Sequence, residues 1–249
     1  MYKDVLVISD NLSLCKRFIE IIERKKISNC LFTFSISPFS NKEDFNILNG
    51  ESIKVFDLKS HEHIEFIKSN YDLVFSIHCK QIFPVELINY LKCINIHPGF
   101  NPINRGWYPQ VFSIINKTPI GATIHEIDKE LDHGFIIDRE QVDKTSFDTS
   151  GTLYNKIIDK EIELLENNIE KIIYNNYEVI EPESEGNLFL KKDFNKLLEL
   201  DLNEQVSVGN LIDRLRALTH GDFRNAYFVD PNSQKKIFVN IELTPEDNE

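Results

Sequence analysis

The chain has 249 residues, and its 40 Asp and Glu side chains outnumber its 28 Lys and Arg side chains, giving a net charge of −12. This acidic balance argues against a nucleic-acid-binding protein, because little positive charge is available to neutralise phosphates. The four cysteines form no Cys-x-x-Cys zinc pattern, no apolar run reaches the about 18 residues of a membrane span, and no signal peptide is evident. We therefore expect a soluble, cytoplasmic protein without membrane contact.

Short apolar runs alternate with segments of helical period in the first half of the chain. Strands are predicted at residues 5–8, 54–58, 73–77 and 93–97, helices at 11–26, 61–69, 84–91 and 106–116, and a loop at 34–49. Strands at 121–128 and 135–141 are joined by a short loop and should be antiparallel near a sheet edge. This order predicts an α/β fold with a doubly wound, mostly parallel sheet.

A long amphipathic helix is predicted from the cap residue Thr149 to about residue 174, packed on the sheet. The polar stretch 175–185 indicates a connector, followed by a helix at 208–218 and a β-hairpin formed by 226–230 and 236–243. We therefore predict a main domain over residues 1–180 and a small C-terminal helix and hairpin extension over 181–249.

Two polar side chains end the strand at 93–97. Asn95 and His97 are two residues apart and therefore point to the same face, at the carboxyl end where open α/β sheets bind ligands. An acidic loop before the strand at 135–141 contains Asp132, which could face and tune the histidine. Polar strand ends and loop aspartates are also common without function, so these residues by themselves leave a structural role open.

Five motifs occur in order: S-I-H-C-K-Q-I-F-P at 76–84, N-I-H-P-G at 95–99, R-G-W at 105–107, G-A-T-I-H at 121–125 and L-D-H-G at 131–134. This series resembles the formyltransferases that use 10-formyltetrahydrofolate. The H-P-G-x-N-P form and the segments 211–221 and 225–228 are similar to the sugar N-formyltransferases, including bacterial enzymes that act on dTDP-4-amino-4,6-dideoxyglucose or its 3-amino relatives. The resemblance implies a Rossmann-like fold and no metal.

The resemblance also implies a catalytic set of Asn95, His97 and Asp132. Formyl transfer to an amine develops negative charge on the formyl oxygen and requires a base for the amine proton. Asn95 would donate a hydrogen bond to that oxygen. His97 would be the base, because the unperturbed pKa of histidine is about 6.5 and suits proton transfer near neutral pH. Asp132 would orient His97, raise its basicity or move a proton through water.

The resemblance places the two substrates on neighbouring segments. The pterin of 10-formyltetrahydrofolate would contact Gln81, Ile82 and Phe83 and the loop that begins at Asp128, largely through backbone. The acceptor would be a dTDP-linked amino-dideoxysugar in O-antigen synthesis, and its expected contacts are Lys80 to phosphate, Trp107 near the site and Tyr227 stacked on the base. A surface lysine and ordinary core packing are the alternatives for Lys80 and Trp107.

The C-terminal extension is too short and acidic for tRNA binding, so a substrate or homodimer element is expected there. His61 and His63 do not share a helical face, which favours an ordinary helix start over a metal pair. A formyltetrahydrofolate hydrolase or another small-amine formyltransferase would use the same three catalytic residues. A more remote alternative is a signalling receiver domain with Asp57 as the phosphoacceptor.

Overall fold

A seven-stranded sheet forms the centre of the computed structural model, which describes residues 1–45, 48 and 53–246. The strand order is β3-β2-β1-β4-β5-β7-β8. The strands are β1 (Asp4–Ser9), β2 (Leu31–Ile36), β3 (Lys54–Val55), β4 (Leu73–Ile77), β5 (Lys92–His97), β6 (Arg105–Gly106), β7 (Gly121–Glu126), β8 (Ile136–Gln141), β9 (Leu188–Phe189), β10 (Tyr227–Val229) and β11 (Lys236–Phe238). The first five strands of the sheet are parallel, and β7 and β8 are antiparallel at one edge, as predicted.

Eight described helices connect and cover these strands: α1 (Leu12–Arg24), α2 (Lys42–Phe45), α3 (His61–Asn70), α4 (Val85–Ile88), α5 (Pro109–Asn116), α6 (Ser150–Ile173), α7 (Lys191–Asn195) and α8 (Val208–Leu218). Alternate strand residues face two hydrophobic cores, because successive side chains of a strand point to opposite faces. One core contains α1, α5 and α6, and the other contains α3 and α4. The expected α/β fold with helices on both faces is confirmed.

Helix α6 closely follows the prediction. The Thr149 hydroxyl accepts from the Thr152 backbone N–H, and the Thr152 hydroxyl accepts from the Thr149 backbone N–H. These two bonds satisfy backbone N–H groups that have no partner within the helix, so the helix begins here. Its predicted apolar positions are fully buried, namely Leu153, Ile157, Leu164, Leu165, Ile169 and Ile172. This helix therefore packs on the sheet through an apolar stripe that contains one buried carboxylate, Glu161.

Several predicted boundaries are wrong. The loop predicted at 34–49 begins inside β2, whose Ser35 hydroxyl donates to the Val7 carbonyl, so a polar side chain fits a buried strand. Residues 46, 47 and 49 of that prediction lie outside the described part of the chain. The helix predicted from 106 starts at Pro109, because residues 105–106 pair with β9 instead. The strand at 54–58 and the helix at 84–91 are shorter than predicted.

The C-terminal helix α8 and the antiparallel pair β10–β11 confirm the predicted helix and hairpin, although the two strands are only three residues each. Leu200 and Leu198 exchange backbone hydrogen bonds with Tyr227, which ties the hairpin to the segment after α7. Within the described residues, no helix has the length and apolar character needed to cross a lipid bilayer.

Candidate active site

Strand β5 carries Asn95 and His97 at its carboxyl end. Parallel pairing on one side aligns Asn95 with Ser76, and antiparallel pairing on the other aligns Asn95 with His125 and His97 with Thr123. The neighbouring residues Ile94 and Ile96 fill the core beneath α6, so the two polar side chains lie on the opposite face. The sheet therefore brings a second histidine, His125, beside the predicted pair.

The loop after β5 folds back over His97. The His97 Nε2–H donates to the Asn104 carbonyl at 2.9 Å, because a carbonyl oxygen can only accept. Thr123 Oγ1 donates to the Gly99 carbonyl at 2.7 Å and accepts from the Asn101 N–H at 3.0 Å. A Cβ at Gly99 would lie 2.4 Å from His97 Nε2, so only glycine allows this close approach.

A separate loop delivers Asp132 to the same place. Asp132 has a φ of +49°, a left-handed conformation that aspartate tolerates better than most residues. The Asn101 side-chain amide donates to the Asp132 carbonyl at 2.9 Å, and Arg105 Nε donates to the Leu131 carbonyl at 3.0 Å. These bonds join the loop after β5 to the loop before β8.

The three predicted catalytic residues come together. Asn95 Nδ2 donates to Asp132 Oδ1 at 3.0 Å, and Asp132 Oδ2 lies 3.6 Å from His97 Nδ1. Asn95 Nδ2 also donates to His125 Nε2 at 3.2 Å, since His125 Nδ1–H is engaged by the Glu126 carbonyl at 2.8 Å. His125 Nε2 is 3.6 Å from Asp132 Oδ1, so the carboxylate lies between two imidazoles.

Electrostatics keep Asp132 ionised. Burial by itself raises the pKa of this carboxyl, but the nearby rings of His97 and His125 and the Gly106 N–H lower it, and the balance lies far below the usual range. The Gly106 N–H donates to Oδ2 at 3.0 Å. Asp132 can therefore accept hydrogen bonds and stabilise positive charge on a neighbouring ring at neutral pH, but it cannot serve as an acid there.

The hydrogen bonds determine which atoms can do chemistry. Since His97 Nε2 is bound to the Asn104 carbonyl, Nδ1 is the ring atom available to exchange a proton. Both hydrogens of the Asn95 amide point to Asp132 and His125, because a carboxylate oxygen must face a donor. Two buried atoms in the adjoining loop, Asn101 Oδ1 and Asn104 Nδ2, have no hydrogen-bond partner among the described residues.

The residues predicted for the pterin have different environments. Ile82 is 82% exposed, whereas Phe83 is buried in the core beside α3 and α4. The Gln81 side chain donates to the Phe56 carbonyl at 2.9 Å and accepts from the Leu58 N–H at 2.8 Å, so it holds its own segment in place. Asp128 accepts from His133 Nδ1 at 2.7 Å and from the Glu130 N–H.

The residues predicted for the nucleotide sugar are spread more widely. Lys80 is exposed, its backbone N–H donates to Asp10 Oδ2 at 2.7 Å, and its ammonium has no partner among the described residues. Trp107 is exposed next to Tyr108 and below Lys191, which excludes the core-packing alternative. Tyr227 donates to Glu199 and is covered by the Lys236 ammonium. Within the described part of the chain, no hydrogen bond or ring contact joins Tyr227 to Asn95, His97 or Asp132.

Sequence reasoning missed three residues that build the site. His125 lies in the G-A-T-I-H motif, Arg105 in R-G-W and Asn101 in H-P-G-x-N-P, so each was inside a recognised motif without an assigned role. Arg105 is buried and also donates to the Glu185 carbonyl at 2.7 Å. The alternation of β7 could have indicated His125, but its distance to Asn95 depends on the antiparallel register.

Among the residues that the structure describes, two groups of side chains have metal-ligand character. His61, Glu65 and Glu86 lie on α3 and α4, and Glu130, His133 and Glu185 lie near the Asp132 loop. A positively charged side chain already pairs with the carboxylates of each group. Lys68 contacts Glu65 and Glu86, and Arg105 lies within 3.6 Å of both Glu130 and Glu185. Neither group includes a member of the Asn95, His97 and Asp132 set.

Comparisons with known proteins identify relatives of this chain. A family model described as formyl transferase matches residues 6–169, and one described as an N-formyltransferase dimerization C-terminal domain matches residues 193–245. The chain is 52% identical over 185 residues to the dTDP-4-amino-4,6-dideoxyglucose formyltransferase of Mycobacterium tuberculosis, covering 74% of this chain and 79% of that protein.

Solved structures give the same result. A 4-N formyltransferase from Francisella tularensis superposes with a TM-score of 0.92 at 42% identity, covering 98% of this chain and 99% of that one. A sugar N-formyltransferase from a Shewanella species has a TM-score of 0.93 at 37% identity, with 98% and 99% coverage. A sugar 3N-formyl transferase crystallised with dTDP and 5-N-formyl-THF shares the fold at 21% identity, with a TM-score of 0.72 and coverage of 94% and 84%.

Proposed function

The chain belongs to the formyl transferase family, and we propose that it transfers a formyl group from 10-formyltetrahydrofolate to the amino group of a dTDP-linked amino-dideoxysugar. The preferred acceptor is dTDP-4-amino-4,6-dideoxyglucose, the sugar in the name of the 52% identical relative. The observation that carries the proposal is the convergence of Asn95, His97 and Asp132, whose side-chain contacts are 3.0 and 3.6 Å.

In this reaction the acceptor amine attacks the formyl carbon, and His97 takes the amine proton at Nδ1. The bond between the formyl carbon and the folate nitrogen then breaks as that nitrogen takes up a proton, which releases tetrahydrofolate. The Asp132 carboxylate, held ionised and 3.6 Å away, stabilises the positive charge that the ring acquires. The Asn104 carbonyl fixes the other ring nitrogen and so keeps the orientation of the base. A catalytic contact at 3.6 Å is long, but such contacts commonly shorten when substrate binds.

Asn95 stabilises the negative charge that develops on the formyl oxygen. Both of its amide hydrogens are engaged by Asp132 and His125, so one of these bonds must be exchanged for the bond to the substrate oxygen. A donor of this kind contributes about 3–4 kcal/mol to the transition state in comparable sites. The neighbouring unpartnered atoms Asn101 Oδ1 and Asn104 Nδ2 offer further polar contacts in the same loop.

The formyl donor fits the face beside Asp132. Exposed apolar side chains of Ile82, Leu131 and Phe135 border the two segments assigned to the pterin, and such surfaces suit a flat, partly apolar ring. Gln81 holds one segment through its own side-chain bonds, which leaves backbone groups to recognise the ring. No metal is required by the roles given to Asn95, His97 and Asp132.

The acceptor assignments rest on chemistry and position. Lys80 is proposed for the diphosphate, because its ammonium is exposed and unpartnered among the described residues. Trp107 and Tyr227 are proposed for the sugar or base, with Tyr227 belonging to the segment matched by the dimerization model. We also propose a homodimer formed by that segment, a cytoplasmic location and a role in O-antigen synthesis.

The test is incubation of pure protein with 10-formyltetrahydrofolate and a panel of dTDP-aminosugars, followed by mass spectrometry of the new amide. We expect a product about 28 Da heavier than one acceptor, because a formyl group (CHO) carried by the folate replaces one N–H hydrogen, a net gain of CO. Release of formate without any acceptor would instead favour the hydrolase. Absence of amide with every nucleotide-linked aminosugar would overturn the proposal.

A further inference from the structure

One carboxylate on α6 lies entirely within the protein. Glu161 is fully buried on a helix face that otherwise packs apolar side chains, and a buried charge is unfavourable unless it is paired. Its partner is His78, whose Nε2–H donates to both carboxylate oxygens at 3.0 and 2.9 Å. The mechanism proposed above uses neither residue.

His78 occupies a special position in the sheet. It directly follows β4, the neighbour of β1, and the strand order reverses between these two strands, where α/β sheets bind ligands. Its φ is +50°, a left-handed conformation that is uncommon for residues other than glycine. The chain therefore turns sharply at His78 immediately before Lys80.

Tyr154 lies about two helical turns before Glu161 on α6 and provides the second contact to His78. Its hydroxyl lies 3.0 Å from His78 Nδ1, and burial, reinforced by the charge of Glu161, raises the Tyr154 pKa, so the hydroxyl keeps its hydrogen and can donate. Both nitrogen atoms of His78 are then engaged. The ring has no nitrogen left for a substrate, which indicates a role in positioning rather than in direct contact.

The segment after His78 contains the residues that the proposed function assigns to substrate. The Lys80 N–H donates to Asp10 Oδ2, and Gln81 is bound to the β3 region through both ends of its amide. His78, held from α6, is the first fixed point of this segment. A substitution of Glu161 would therefore change the direction in which the Lys80 side chain extends from the sheet edge.

We propose that Glu161 and Tyr154 are positioning residues that clamp His78 and thereby aim Lys80 at the diphosphate of the nucleotide sugar. This inference rests on the proposed function for the identity of the ligand, but its structural part concerns only residues 78–81. Among the described residues, neither Glu161 nor Tyr154 is hydrogen-bonded to Asn95, His97 or Asp132, so the clamp affects substrate binding more than the chemical step.

The test compares Glu161→Gln and Glu161→Leu with the same two substitutions at Glu163, an exposed residue of the same helix. Hydrogen exchange of the 78–83 peptide is measured by mass spectrometry, and dTDP binding by calorimetry. We expect faster exchange and a dTDP Kd about 10-fold higher in Glu161→Leu, a smaller change in Glu161→Gln, and no change at Glu163. If Glu161→Leu folds poorly, Tyr154→Phe, which removes only the hydroxyl, is measured instead.

A Lys80→Ala background separates this inference from the proposed function. If Glu161 acts through Lys80, its effect on the dTDP Kd disappears in the double variant. If the Glu161 substitution raises the dTDP Kd by the same factor in the Lys80→Ala background, the clamp is wrong. It is also wrong if hydrogen exchange of residues 78–83 is the same in the Glu161 variants as in the Glu163 variants. If the wild-type protein does not bind dTDP, the proposed nucleotide is wrong, while the exchange measurement still decides whether the clamp exists.

Discussion

Substitution of Gly99 by alanine tests the geometry around His97 most directly. The added methyl would lie 2.4 Å from His97 Nε2 and 2.6 Å from the Asn104 carbonyl oxygen, whereas ordinary contact begins at 3.4 Å. The ring and the loop must therefore separate by about 1 Å, because packed interiors offer no slack to absorb the clash. The His97–Asn104 hydrogen bond, now 2.9 Å, would be broken or badly bent.

Displacement of the proposed base, His97, should lower the rate of formyl transfer. A misplacement of about 1 Å in a catalytic arrangement lowers the rate by about 100-fold. We therefore expect kcat/KM of Gly99→Ala to fall by about 100-fold, measured by mass spectrometric detection of the formamide product. The backbone of Gly99 is not left-handed, so the effect arises from lost space and not from φ strain.

The matched control is Gly209→Ala in α8, where a Cβ meets no atom of the chain's described residues within 4 Å. Alanine is favoured over glycine in a helix by up to about 1 kcal/mol, so this variant should be equally active and no less stable. Circular dichroism and thermal melting show whether each variant is folded. Wild-type kcat/KM in folded Gly99→Ala would refute the placement of His97 described above.

Five further predictions concern the site and the assembly. Asp132→Asn should lower kcat at least ~100-fold in a folded protein, through loss of charge stabilisation at His97. Because the folded-state pKa of Asp132 is depressed, its stabilising contribution should be complete above about pH 4 and lost as pH falls further, seen as a shrinking Tm difference between wild type and Asp132→Asn. Lys80→Ala should raise the dTDP Kd about 10-fold, with less effect at high salt. EDTA should leave turnover unchanged, and Ile237→Asp, at an exposed position of β11 within the segment matched by the dimerization model, should convert a dimer to monomers in light scattering.

Each of these outcomes has a clear contrary result. Near-normal kcat in Asp132→Asn would remove this carboxylate from the chemistry, and a pH-independent Tm difference would contradict its low pKa. Unchanged dTDP binding in Lys80→Ala would leave that lysine as an ordinary surface residue. Loss of activity in EDTA that added zinc restores would contradict a metal-independent reaction. A wild-type monomer, or an unchanged dimer in Ile237→Asp, would exclude the hairpin surface as the interface.

The sequence predicted most elements whose pattern is local. Helix α6 followed from its cap and its apolar period, and β1, β4 and β5 followed from short buried runs. It failed where tertiary pairing outweighs composition. Strand β2 pairs with β1 and β3, and its second half, including Ser35, is buried. Arg105 and Gly106 pair with a strand more than 80 residues later, which no local pattern could indicate.

The sequence by itself determined the chemistry available: an amide and an imidazole two residues apart on a strand, and motifs that placed a carboxylate among the candidates. Only the tertiary structure decided that the carboxylate of Asp132 meets Asn95, 37 residues away in the chain. It also placed His125 beside them and set Glu161 against His78. Side-chain alternation is fixed by the backbone within one strand, whereas contacts between distant segments depend on sheet register and packing of the whole fold.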